Sequence, residues 1–272
     1  LKGRLSLKKM ILSPTSTKIQ SIYNPDVTYV TTDEPAESVG RIMQKYDLVA
    51  IPVVDSIGRL VGRITIDDVV DVIREEAEKD YQMMSGISQD VESSDTIWDQ
   101  TKARLPWLII GLLGGMLAAY MISFYEADIA LFPATAMFIP VITAMGGNVG
   151  IQSSAIVVKG LASNTLTSKN ILQSISKEIS CAVINACICS SIIFILSLCF
   201  NLTSLAMPIT VTISLFIVIM FASMFGTAFP LLLNKLKIDP ALATGPFITL
   251  TNDIIGLNIY LFTGKAILGW LL

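Results

Sequence analysis

The sequence has no histidine, so imidazole metal sites and histidine-based acid–base chemistry are excluded. It has no phosphate-binding loop and no nucleophile–base pair, so an enzyme is not expected. No dense basic patch occurs and the net charge is −3, which gives no footprint for nucleic acid. Cysteine is sparse. Cys181, Cys187, Cys189 and Cys199 all lie in one apolar stretch, where they read as small apolar side chains in a reduced setting. The chain opens on the basic, amphipathic Leu1–Ile11 with no signal-peptide pattern. Beyond Leu105 charge itself nearly vanishes from long stretches.

Apolar residues fill the space that charge leaves. They make up 53% of the 272 residues, and the mean hydropathy is +0.66, too apolar for a soluble protein. The expected organisation is a soluble part followed by a membrane part. Five spans are expected, at about Trp107–Tyr125, Phe132–Val158, Ile179–Phe200, Pro208–Leu233 and Ala241–Leu271. Each is long enough for a hydrocarbon core of about 30 Å. Lys102, Arg104, Lys159, Lys169, Lys177, Lys235 and Lys237 fall on one side, and the loops Glu126–Asp128 and Asn201–Ser204 carry no Lys or Arg. The positive-inside bias then puts the soluble part in the cytoplasm and the C-terminus outside, in a plasma membrane. Asn201-Leu202-Thr203 matches a glycosylation sequon but sits in a short turn and is given no weight.

The soluble part begins with Leu1–Ile11 and a linker at Ser13–Ser16. Strands are expected at Val27–Thr31, Leu48–Asp55 and Leu60–Thr65, with a turn at Ser56–Arg59. Helices are expected over about Ala36–Tyr46 and from Asp67 to Ser85. Pro52-Val53-Val54-Asp55, Gly58-Arg59-Leu60-Val61-Gly62 and Thr65 with Asp68 make this module resemble a cystathionine-β-synthase (CBS) domain. Such modules pair, and Leu1–Ile11 resembles the tail of a preceding one. In the wider family the Gly62–Thr65–Asp68 spacing reads an adenosine ribose, which implies a nucleotide such as ATP at Thr65 and Asp68. The competing reading of those two side chains is helix capping. The second helix has an acidic side made by Asp68, Asp71, Glu75, Glu76, Glu78 and Asp80, against Arg74 and Lys79 alone. Like charges at helical spacing repel, so this side is either solvated or bridged by a divalent cation. Residues 81–103 are expected as an acidic connecting helix and linker.

Two stretches of the membrane part carry polar groups. Pro140–Ser153 holds Gly146, Gly147, Gly150, Asn148 and Gln152, and is expected as a break that faces protein or a water path. Small-residue packing with amide glue is the alternative. In the fifth span Gly245-Pro246 interrupts the helix, and Thr249, Asn252 and Asp253 lie mid-span. A carboxylate there costs about 3 kcal/mol unless hydrated or paired. Lys265 lies about 18 Å along the helix from Asp253, too far to pair with it.

GGNVGIQ in the second span, with DPALATGP and TNDIIGLNIY around the fifth, resembles the MgtE family of magnesium transporters. One CBS module, an acidic connecting helix and five spans complete the likeness. The family carries an acidic helical domain and a first CBS module ahead of this part. The resemblance implies an α-helical membrane protein of five transmembrane helices with a cytoplasmic α/β CBS domain. It implies a homodimer in the lipid bilayer with one pore on the two-fold axis. Residues 1–20 would be the preceding tail and linker, 21–80 the CBS domain, 81–103 the connector and 104–272 the pore domain. Asp253 would hold hydrated Mg²⁺, with Asn148, Gly146, Gly147, Asn252 and Thr249 around it. Regulatory Mg²⁺ would bridge Asp47, Asp68, Glu76 and Asp80, with Glu37. The expected function is a Mg²⁺-selective, channel-like transporter closed by cytosolic Mg²⁺. Its rivals are a Na⁺-coupled exporter of the same fold and a membrane-anchored CBS receptor that passes no ion.

Overall fold

The structure is a computed structural model that describes residues 1–163, 165–166, 171–200, 205–243 and 245–271; the side chains of 242, 243 and 268–271 lie outside the description. Lys169, the loop Asn201–Ser204 and its sequon fall outside the described residues. The chain divides into two compact units, Leu1–Lys79 and Asp80–Leu272.

The first unit begins with a short helix α1 (Leu7–Leu12). A three-stranded sheet follows, in spatial order β1 (Val30–Thr31), β2 (Ala50–Val54), β3 (Leu60–Thr65). β1 pairs parallel to β2 and β2 antiparallel to β3. The parallel pair requires a crossover, which α2 (Ala36–Lys45) supplies. The β2–β3 hairpin closes on Asp55. Its carboxylate accepts bonds from the Arg59 and Ile57 backbone N–H groups at 2.8 and 3.1 Å and from Arg59 Nε at 2.9 Å. These bonds, the Arg59 backbone N–H foremost, hold the Asp55 carboxyl below its ordinary range. Gly58 takes φ +78°, which an L side chain resists. Val39 and Met43 of α2 pack on Val30, Ile51 and Val69 to form the core. The expected strand Val27–Thr31 is shorter than the pattern suggested, with only Val30–Thr31 in the sheet.

α3 (Ile66–Met84) buries Val69 alone; its Val70, Ile73 and Tyr81 are exposed. The connector is not one helix. α3 ends at Met84, Gly86 turns the chain at φ +79°, and regular helix resumes only with α4 (Ile97–Ser123). The intervening Asp and Ser residues satisfy backbone groups locally, as in the Glu92 N–H bond to Asp95 at 2.8 Å, which competes with helix. Thr96 caps α4 by accepting from the Asp99 N–H.

The second unit is a helical bundle. After α4 come α5 (Glu126–Leu131), α6 (Ala134–Ala162), α7 (Ile171–Leu198), α8 (Ala206–Lys235), a 3₁₀ turn (Pro240–Ala243) and α9 (Pro246–Leu271). Among the described residues four helices, α4, α6, α7 and α8, are long and apolar enough to cross a membrane. α9 has 26 residues and carries Thr249, Thr251, Asn252, Asp253, Asn258 and Thr263 among its apolar side chains. α8 is the hub, packed against α6, α7 and α9. Val211, Leu215, Val218 and Ile219 of α8 meet Phe138 and Ile142 of α6 and Leu257 and Tyr260 of α9 in the core. α4 packs on α9, where Gly114 admits the Leu250 side chain, and leaves Leu108, Leu112, Leu113 and Met116 exposed.

The break expected at Pro140–Ser153 does not occur. α6 runs as one helix through Pro140 and all three glycines. Packed neighbours support a helix through such residues, and the glycines serve close approach instead. The fifth helix starts later than expected, at Pro246, because Gly245 takes φ +61°.

Candidate ion site

α9 sets Thr249 and Asp253 one turn apart on the side next to α6. A Cβ at Gly147 would stand 3.1 Å from Thr249 Cγ2 and 3.3 Å from Asp253 Oδ1. The bare backbone at Gly147 therefore gives the Asp253 carboxylate room against α6. Asp253 is half-buried, and no described residue donates a hydrogen bond or an ion pair to it. Lys265 is engaged elsewhere, on Asp128 of α5 at 3.1 Å. The Thr249 hydroxyl donates to the Gly245 carbonyl at 3.1 Å and keeps its oxygen lone pairs available.

Asn148 follows Gly147 and is exposed, as is Gln152 one turn further along α6. Gly146 instead faces α8, with a Cβ position 3.2 Å from Val218 Cγ1. Asn252 is 1% exposed and its amide presses on Gly150; neither amide atom has a hydrogen-bond partner among the described residues. The structure thus brings Gly147, Thr249 and Asp253 together, with Asn148 at the exposed edge. Gly146 and Asn252 point into the packed interior. The oxygen set of Asp253, Asn148 and Thr249 suits a hard cation that keeps its waters.

One polar residue escaped the sequence reading. Glu178 on α7 accepts a bond from Ser153 of α6 at 2.6 Å and one from Ser223 of α8 at 2.9 Å. The expected third span began at Ile179, which put Glu178 in a loop. The available signal was that Glu178 is the single acidic residue between Asp128 and Asp239.

In the first unit the Asp68 carboxylate accepts from the Thr65 hydroxyl at 2.6 Å and the Thr65 N–H at 3.0 Å. Those bonds, the hydroxyl first, lower its pKa from the ordinary value. Thr65 and Asp68 therefore close the start of α3 on each other. A cleft of about 610 Å³ in the same unit is lined by Arg4, Asp26, Ile51, Gly62 and Arg63 and not by that pair. Glu37 pairs with Arg41 at 3.7 Å and Arg74 with Glu78 at 2.8 Å. Asp47 ends α2 at φ +49° and is exposed; Glu76 and Asp80 are partly buried on α3. Among the described residues no three acidic, Cys or His side chains gather closely enough to hold a metal.

Residues 139–263 match the MgtE divalent cation transporter family, and residues 19–75 match the CBS domain. The chain is 36% identical to the magnesium transporter MgtE of Bacillus subtilis over 260 residues, 96% of this chain and 57% of that protein. It is 33% identical to the magnesium transporter MgtE of Thermus thermophilus over 274 residues, 98% of this chain and 60% of that protein. The chain carries an MgtE family domain and a CBS domain. The MgtE match runs from Ile139 in α6 to Thr263 in α9 and so contains Gly147, Glu178 and Asp253. The chain spans somewhat under two thirds of the length of these curated relatives. Among solved structures it is similar to the cytosolic domain of the Mg²⁺ channel MgtE in complex with ATP, 51% identical over 26% of this chain and 29% of that one, with a TM-score of 0.26. It is also similar to the soluble part of a magnesium transporter, 38% identical over 28% and 30%, with a TM-score of 0.28.

Proposed function

We propose that this chain conducts Mg²⁺ across a plasma membrane as a homodimer, through a path lined by α6 and α9 and centred on Asp253. The observation that carries the reading is the Asp253 carboxylate set against Gly147 with no described partner. An intramembrane carboxylate in that condition needs water or a cation. Asn148 and Gln152, exposed on the adjoining edge of an otherwise apolar helix, are ill suited to lipid and suit a second copy across a wet seam. Magnesium sheds its waters reluctantly, so carboxylates and amides contacting those waters are the fitting chemistry. α9 is the fifth span in this reading. The soluble unit faces the cytoplasm, as the cations at Lys102, Arg104, Lys159, Lys177, Lys235 and Lys237 favour.

Cytosolic Mg²⁺ closes the path by bridging Asp47, Asp68, Glu76 and Asp80, with Glu37, to a facing acidic surface. The acid excess of α3 supports this; among the described residues those side chains do not gather, so in this reading the facing surface comes from elsewhere. A nucleotide such as ATP is best seated in the 610 Å³ cleft, where Arg4 and Arg63 suit phosphate and Asp26 a ribose; the Thr65 hydroxyl is committed to Asp68.

The test is Mg²⁺ uptake by liposomes holding the full chain. Asp253→Ala abolishes uptake if the reading holds, and uptake at the wild-type rate sinks it. Flux that requires a Na⁺ gradient would replace it with coupled exchange.

A further inference from the structure

The carboxylate of Glu178 sits where three helices meet. Ser153 of α6 and Ser223 of α8 both donate to the same oxygen, at 2.6 and 2.9 Å, and the two hydroxyls lie 3.1 Å apart. Ser153 is 3% exposed and Ser223 2%, so neither hydroxyl has water to turn to if the acceptor is lost. Elsewhere the α6–α8 seam includes glycine and aliphatic contacts, such as Gly146 against Val218 and Gly226 against the Gly150 carbonyl. Those contacts set how closely the helices approach, but dispersion itself has no direction. A hydrogen bond does have direction.

Ser153 lies six residues beyond Gly147, about 9 Å along α6 by rise per residue. At the other end of the helix the Tyr260 hydroxyl donates to the Thr135 carbonyl at 2.9 Å and ties α6 to α9. The Gly147–Asp253 approach lies between these two ties. A rotation of α6 by one residue, about 100°, would replace Gly147 opposite Asp253 with a side chain. We propose that Glu178 is a positioning residue. By accepting from Ser153 and Ser223 it fixes the rotation and height of α6, so that Gly147 meets Asp253 and Asn148 stays on the exposed edge. Glu178 does not itself touch the ion. This inference rests on the α6–α9 ion path proposed above.

The experiment compares Glu178→Ala, Glu178→Gln and the double variant Ser153→Ala/Ser223→Ala in liposomes, with Mg²⁺ flux normalised to folded dimer. Asp253→Ala is run alongside. Glu178→Gln keeps an oxygen acceptor without the charge, so its flux stays within about threefold of wild type, whereas Glu178→Ala loses about tenfold or more. The serine double variant falls likewise, and it serves if Glu178→Ala fails to fold. Equal loss in Glu178→Gln and Glu178→Ala overturns the proposal, because the charge itself is then required. Wild-type flux per folded dimer in Glu178→Ala or in the serine variant overturns it too. Full flux in Asp253→Ala is a different failure, since it removes the ion path that Glu178 is said to position.

Discussion

The Asp253 carboxylate lies against the backbone of Gly147, with a Cβ position at Gly147 only 3.3 Å from Oδ1. An alanine there asks Thr249 and Asp253 to give by a few tenths of an ångström. A valine drives methyls into the carboxylate. Mg²⁺ flux therefore falls within about threefold in Gly147→Ala and by more than tenfold in Gly147→Val, since close-packed interiors absorb one small group better than two more. Liposome flux measures both. Equal flux in Gly147→Val and wild type would disconnect this approach from conduction.

Much of this arrangement is visible in the sequence. An aspartate in an apolar span and a glycine-rich stretch in another point to a polar contact between two helices. The hairpin turn at Asp55–Arg59 and β3 at Leu60–Thr65 follow from local chemistry and lie where expected. What misleads is the role of the glycines. Read alone, Pro140–Ser153 suggests a broken helix, because glycine and proline weaken an isolated one. In the bundle the same glycines admit Val218, Thr249 and Asn252, and α6 stays whole. Asn252 and Asp253 look alike in sequence, yet one residue of helical rotation buries the first and leaves the second beside Gly147. Glu178 escaped notice because its partners Ser153 and Ser223 are 25 and 45 residues away, and only packing brings them together.

Asp68 makes a pH-dependent prediction for the soluble unit. Its folded pKa is lowered by the two Thr65 bonds, the hydroxyl first. A depressed carboxylate contributes stability above its unfolded value of about 3.9, and that contribution is lost as pH falls through the folded value. The gain is therefore absent in strong acid and complete at neutral pH. Thr65→Val removes the hydroxyl and keeps the N–H bond. Titration of Asp68 followed by carboxyl NMR should show its midpoint rise toward the ordinary value in Thr65→Val. An unmoved midpoint would assign the depression to other causes.

Lys265 and Asp128 join α9 to α5 at 3.1 Å, with the lysine side chain 61% exposed. Exposure of that order leaves an ion pair worth about 0.5 kcal/mol. Lys265→Met should lower the unfolding free energy by about that amount, with little change in flux, because Asp253 does not depend on this lysine. The coupling energy from a double-mutant cycle with Asp128→Asn checks it. A coupling above about 2 kcal/mol would mean that the pair is shielded from solvent.

Gly58 and Gly245 both take positive φ, +78° and +61°, but their surroundings differ. Nothing lies within 4 Å of a Cβ at Gly58, whereas a Cβ at Gly245 would collide with the Met84 backbone carbonyl. Replacing Gly58 with Ala therefore carries the left-handed backbone cost alone, about 1 kcal/mol. Asparagine tolerates that conformation, so Gly58→Asn should be close to neutral. At Gly245 the obstacle is backbone, which a rotamer change cannot relieve. Both Gly245→Ala and Gly245→Asn must then push the end of α3 away from the start of α9, and asparagine gives no rescue. Calorimetry following each unit's own transition separates the cases. Recovery of stability in Gly245→Asn would show that the φ angle, and not the Met84 contact, is what reserves that position for glycine.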